Sequence, residues 1–111
     1  MTIYSISCTI DPQKDDLRKQ LLKDHVAFII QNKDSLAFGG VASNEDSSME
    51  KICYFLNANS PSEAEDFIRK DPYMAIYQGE VEILKFLQRI PEVEAGYFEA
   101  LYQKLCARDR T

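Results

Sequence analysis

His25 is the single histidine among 111 residues, and it falls on the apolar side of a predicted helix. Far downstream a second predicted helix breaks at Asp71-Pro72-Tyr73. An imidazole with an unperturbed pKa of about 6.5 takes or gives a proton near neutrality. A carboxylate within hydrogen-bond reach fixes its tautomer and stabilises its protonated form, as the third residue of a hydrolase triad does. That combination is acid–base chemistry. No serine nucleophile with a supporting motif accompanies it, so triad hydrolysis is not expected. Both residues also have ordinary structural uses. A lone histidine on an apolar face is commonly a satisfied core residue, and Asp-Pro is a common turn initiator. One feature favours the pair. A carboxylate at a helix C-terminus faces the wrong end of the helix dipole, and a buried imidazole would offset that cost.

Three further residues belong to the candidate site. Tyr73 follows the break, where its hydroxyl is placed to reach the same pocket, although a tyrosine more often packs its ring and keeps the hydroxyl wet. Gly39 and Gly40 permit close backbone approach or positive φ. They are not a phosphate loop, since neither the Walker pattern nor GxGxxG is present. The acidic run Glu45, Asp46 and Glu50 reads as a solvated loop, and no convergent metal ligands accompany it. Cys8, Cys53 and Cys106 are an odd count without CxxC spacing, so no zinc motif assembles. They read as small apolar residues in a reducing compartment. No cofactor motif is visible, and neither a metal nor a cofactor is expected.

The composition bounds the partners. The length argues for one domain. A net charge of −5 argues against nucleic acid and against an anionic membrane surface. The longest apolar runs are strand-sized, too short to cross a bilayer. Met1-Thr2-Ile3-Tyr4 carries no basic region leading into an apolar segment, so no secretory leader is expected and a cytoplasmic location is the default.

The elements that would position the pair follow from periodicity. Residues 3–10 alternate, with Tyr4, Ile6, Cys8 and Ile10 on one face, and read as a strand. Asp11 and Pro12 then suit a helix cap and first turn. Leu17, Leu21, Phe28 and Ile29 recur at helical spacing to about Asn32, and Leu22, Val26 and Ile30 are expected to widen the buried stripe. A short strand over 35–41 ends in the two glycines, and the polar stretch 42–50 is a loop. The apolar run 52–56 predicts a central strand covered on both faces. Ser60 and Glu63 have capping-box spacing with Pro61 at the first helical position, and Ala64, Phe67 and Ile68 supply the buried stripe. A strand is expected over 81–87. Pro91 is expected to open a last helix with Val93, Tyr97, Leu101 and Leu105 in line, flanked by Phe98 and Tyr102. The order β-α-β-β-α-β is the ferredoxin-like, split βαβ arrangement. Both crossover helices lie on one face of an antiparallel sheet. The other face is left bare, and pairing two sheets in a dimer covers it most cheaply.

At this point the run from His25 through Phe28 and Ser35 to Gly39-Gly40 resembles the helix-to-strand segment of YCII-related proteins. The run from Ser60 through Phe67 to Asp71-Pro72-Tyr73 is similar to that family's second helix and its Asp-Pro-Tyr/Phe end. The strand after Gly79, ending near Phe86, completes the match, which covers roughly residues 1–90. The resemblance implies a ferredoxin-like fold in a dimeric α+β barrel and a small pocket with a His–Asp pair. Most members lack an assigned reaction, although some act on chlorinated aromatic breakdown products. The chain departs from the family's common Gly-Pro at Gly40-Val41. Residues 91–111 extend past the usual end of the domain, where a helix is expected either to cover the pocket or to thicken the dimer contact. The expected function is a cofactor-independent isomerase or lyase acting on a small cyclic or aromatic substrate. His25 and Asp71 are its catalytic residues, and Tyr73, Gly39 and Gly40 its binding residues. The alternative is a non-catalytic dimeric module that binds a small ligand or docks a partner through Tyr97, Phe98 and Tyr102.

Overall fold

A computed structural model describes residues 2–92 and 94–109. The elements are β1 (Thr2–Ile10), α1 (Asp15–Asn32), β2 (Leu36–Ser43), β3 (Glu50–Ala58), α2 (Pro61–Arg69), β4 (Tyr77–Phe86) and α3 (Tyr97–Asp109). The sheet order is β2-β3-β1-β4, with every neighbouring pair antiparallel. The fold is α+β and ferredoxin-like, as the element order predicts.

Alternation along β1 and β3 sets the core. Tyr4, Ile6, Cys8 and Ile10 of β1 and Ile52, Tyr54, Leu56 and Ala58 of β3 are all buried. They meet Phe28 of α1 and Ala64, Phe67 and Ile68 of α2. The other face of β3 is only half-covered, which corrects the expectation of a strand buried on both sides. The apolar run is continuous because Phe55 points away from the helices. There it stacks on Phe38, with ring centroids 4.1 Å apart, and meets the edge of Phe86 at 4.9 Å.

Four local boundaries differ from expectation. First, Leu22, Val26 and Ile30 are exposed, so α1 buries a narrower stripe through His25 and Phe28. Each exposed residue sits one position beyond Leu21, His25 and Ile29, a rotation of about 100° toward solvent. Second, β2 runs through its glycines to Ser43, because Gly39 and Gly40 pair with Tyr54 and Cys53. Third, β4 starts at Tyr77. Its register against β1 shifts between Ser7 and Thr9, and Gly79, at φ 70°, accommodates the extra residues. Fourth, the last helix begins at Tyr97 rather than Pro91. The Glu92 carboxylate accepts the amides of Gly96 and Phe98, so the intervening chain forms a loop that caps the helix instead of joining it. Val93 lies outside the described residues. Helix α3 buries none of its side chains.

Candidate active site

Two short turns carry the site. Asp11 accepts the Gln13 amide and caps a 3-10 turn over Pro12–Lys14 that leads into α1. At the exit of α2 the chain turns extended at Asp71, as Pro72 requires. Asp71 then caps a second 3-10 turn, Pro72–Ile76, accepting the Tyr73 amide. A carboxylate is favoured there, so the cost expected at the end of α2 is met by the next turn as well as by the imidazole. The two turns are tied together. Ile76 O accepts the Asp11 amide at 2.9 Å, and Ala75 O accepts from Lys14 Nζ at 3.0 Å.

This frame brings His25 and Asp71 together. His25 Nδ1 stands 2.8 Å from Asp71 Oδ1, with the two residues 5% and 2% exposed. Asp71 Oδ1 also accepts the Tyr73 amide at 2.9 Å. Its Oδ2 accepts the hydroxyls of Tyr54 at 2.8 Å and Tyr77 at 2.6 Å. Burial disfavours the charged carboxylate. The hydrogen bonds from His25, Tyr77, the Tyr73 amide and Tyr54 outweigh that penalty and hold Asp71 below the usual carboxylate range. An ionised Asp71 has only acceptors, so His25 Nδ1 carries the hydrogen in this contact. Burial, then the neighbouring carboxylate, raise both phenols above their ordinary range and keep them donors.

With Nδ1 carrying the hydrogen, Nε2 is the nitrogen whose lone pair is free in the neutral ring. Among the described residues no buried side-chain nitrogen or oxygen lacks a partner, and Nε2 has none, so it is open to the outside. His25 lines a cavity of about 350 Å³ together with Ile29, Leu36, Phe38, Val41, Ile52 and Tyr54. Gly39 and Gly40 form part of the same wall. A Cβ on Gly39 would lie 2.9 Å from the Cys53 carbonyl, so close approach to β3 demands glycine there. A Cβ on Gly40 would meet nothing within 4 Å. Tyr73 reaches the site by a different route from the one expected. It is buried, and its ring stacks on the imidazole with centroids 3.7 Å apart and planes 4° from parallel. Tyr73 also lies close enough to Arg18 to favour the charged guanidinium, after the larger effect of Glu50. Arg18 in turn grips Glu50 through two bonds of 3.1 and 3.4 Å, so Glu50 is more than part of a solvated loop.

Sequence reasoning missed Tyr54 and Tyr77. Tyr54 was readable as inward-facing from the alternation of β3, but no pattern announces a hydroxyl's partner. Tyr77 precedes the strand the sequence suggested. Helix α3 contributes no residue to the cavity.

No protein-family model and no curated sequence matches the chain. Solved structures share its fold. A 5-chloro-2-hydroxyhydroquinone dehydrochlorinase from Burkholderia phenoliruptrix AC1100, in complex with 2,5-dihydroxybenzoquinone, superimposes with a TM-score of 0.68 at 16% identity, over 81% of this chain and 98% of that one. A conserved protein from Methanosarcina mazei Go1 gives 0.52 at 14% identity, over 80% and 95%. A candidate antibiotic biosynthesis monooxygenase from Bacteroides thetaiotaomicron VPI-5482 gives 0.50 at 11% identity, over 84% and 93%. At these identities the likeness is one of fold. Among the described residues, no helix is long and apolar enough to cross a membrane.

Proposed function

We propose that this chain is a YCII-like, cofactor-independent acid–base enzyme of isomerase or lyase type, acting on a small cyclic or aromatic substrate. The observation that carries this reading is the buried His25–Asp71 contact at the edge of a largely apolar cavity that His25 itself lines. Asp71 and the stacked Tyr73 ring fix the imidazole plane, so a base is held in place before substrate arrives. His25 Nε2 takes a proton from a ring carbon next to a carbonyl, and the electron pair moves onto the carbonyl oxygen as an enolate. Returning the proton to another carbon completes an isomerisation. Expelling a leaving group with the electron pair completes an elimination, after which the imidazolium gives its proton to water. Gly39 and Gly40 form the wall against which the ring lies. Residues 1–90 make up the catalytic unit and 91–111 an appended helix. The chain works as a homodimer, joined through the sheet face that carries Phe38, Phe55 and Phe86. Because the Burkholderia neighbour was solved with a dihydroxyquinone, hydroxylated quinones and quinols are the first rings to try.

The test is proton exchange. Candidate rings are incubated with the protein in D2O, and loss of the ring C–H signal is followed by NMR. His25→Ala is expected to slow exchange by about 100-fold or more, and Asp71→Asn by about tenfold. Equal rates for the wild type and His25→Ala, on a ring that the wild type exchanges, would refute the assignment.

A further inference from the structure

The cavity beside His25 carries one full cation. Lys33 lines it near the end of α1, eight positions after His25. None of the chain's 18 acidic side chains is among the lining residues. Lys33 forms no ion pair or side-chain hydrogen bond with any described residue. Asp34, its chain neighbour, is exposed and outside the lining. Asp71 lies behind the imidazole, with its charge already shared among four donors. The remaining lining is aliphatic and aromatic side chains and glycine backbone. An unpaired ammonium at an otherwise apolar opening is complementary to a ligand that is apolar in the middle and anionic at one edge.

Helix geometry sets the span. Eight residues along α1 place the Cα atoms of His25 and Lys33 about 12 Å apart along the axis. Side chains lean toward the helix N-terminus, so Lys33 leans back toward the imidazole. Its backbone is still helical, at φ −60° and ψ −29°. A ligand that touches both groups needs the reach of a small substituted ring. The glycine wall, with no side chain at Gly39 or Gly40, admits a flat one.

We infer that the cavity selects a small ring bearing an anionic substituent of the carboxylate kind. Lys33 holds the anion, and the opposite ring edge lies against His25 Nε2. This rests on the catalytic reading of His25 and adds to it the charge of the substrate. It also accounts for how a chain of net charge −5 would attract an anion, through a local cation at the mouth. A competing role for Lys33 is to cover apolar wall with its stem alone. Lys33→Met keeps that stem and removes the charge, and Lys33→Arg keeps the charge.

The experiment titrates 4-hydroxybenzoate and its neutral twin 4-hydroxybenzamide into the protein, following the His25 ring protons by NMR. The acid is expected to bind at least tenfold more tightly than the amide and to move the His25 signals. Lys33→Met should erase that preference with the amide's affinity unchanged, and Lys33→Arg should restore most of it. Equal binding of the two ligands beside His25 would overturn the anion assignment while leaving His25 available as a base. Binding that never moves the His25 signals, or no binding at millimolar ligand, would overturn the anion site, and the former would count against the cavity as the active site too. A preference that survives Lys33→Met would place the anion elsewhere and likewise overturn it.

Discussion

Both faces of the sheet hold aromatic rings, on different terms. On the helix-covered face Tyr54 and Tyr77 are fixed by hydroxyl bonds to Asp71, and Tyr73 by its stack on His25. Among the described residues no fully buried side-chain nitrogen or oxygen lacks a partner, and His25 Nε2 is left open. On the opposite face Phe55 touches both Phe38 and Phe86, yet Phe38 and the nearby Leu84 remain more than half exposed. The first face is complete in one chain. The second has apolar area that nothing among the described residues covers, the usual mark of a surface that meets a partner. The proposed chemistry falls on the satisfied face and the proposed assembly on the unsatisfied one, with Phe38 bordering both.

The largest effect is expected from emptying the satisfied face. Asp71→Ala strands two buried hydroxyls, the His25 Nδ1 hydrogen and the Tyr73 amide. Each unpaired buried group is costly, and the sum should be about 3–5 kcal/mol, read by urea denaturation. A loss below about 1 kcal/mol would mean that water or rearrangement replaces the carboxylate, and the face would not be the rigid frame described.

On the other face the effect should fall on association. Phe55→Glu puts a charge at the centre of the aromatic row without touching the helix side. Its expected cost is on the order of 3 kcal/mol of dimerisation, about a hundredfold in Kd, read by sedimentation equilibrium with circular dichroism unchanged. A wild type that stays monomeric at tens of micromolar, or a variant that dimerises as well as the wild type, would remove this face from assembly.

The two glycines sharpen the contrast at a single strand. Gly39→Ala pushes a methyl against the Cys53 carbonyl, a contact of 2.9 Å that backbone must yield to, and should cost about 1–3 kcal/mol. Gly40→Ala meets open space and should change stability by no more than about 0.5 kcal/mol. Thermal unfolding of both variants checks this, and equal costs would undo the distinction.

These expectations also indicate what the sequence could convey. Alternation in β1 and the Ser60–Glu63 cap were legible because they are local and periodic. The pairing of His25 with Asp71 was only suggested, through the resemblance to YCII-related proteins together with helix faces and the poor placement of a carboxylate at a helix end. Tyr54 and Tyr77 were invisible as partners, since a hydroxyl's acceptor is a tertiary fact with no spacing rule. Leu22, Val26 and Ile30 misled for a related reason. Hydrophobic residues at helical spacing show that a face exists, and not whether this chain or another covers it. The start of α3 was misplaced because a proline permits a helix start without requiring one, and Glu92 supplied the cap further on.

The subtlest test is the pH dependence of the satisfied face. Asp71 is held below the ordinary carboxylate range, so it stabilises the fold above the pH at which an unfolded aspartate ionises, about 4. That contribution is lost as pH falls through the lower value in the folded state. Asp71→Asn lacks it at every pH. The stability gap between wild type and Asp71→Asn should therefore be widest near neutrality and shrink as the solution is acidified below about pH 4. Tyr54 and Tyr77 set the opposite flank. Their raised values mean that stability is intact below the unfolded phenol range, about 10, and declines as pH rises beyond it. Denaturation of wild type, Asp71→Asn and Tyr77→Phe across the pH range reads both flanks. A gap that stays constant into strong acid would show that the carboxylate is not ionised in the fold. His25 Nδ1 would then no longer be required to carry the hydrogen, and Nε2 would lose its assignment as the base.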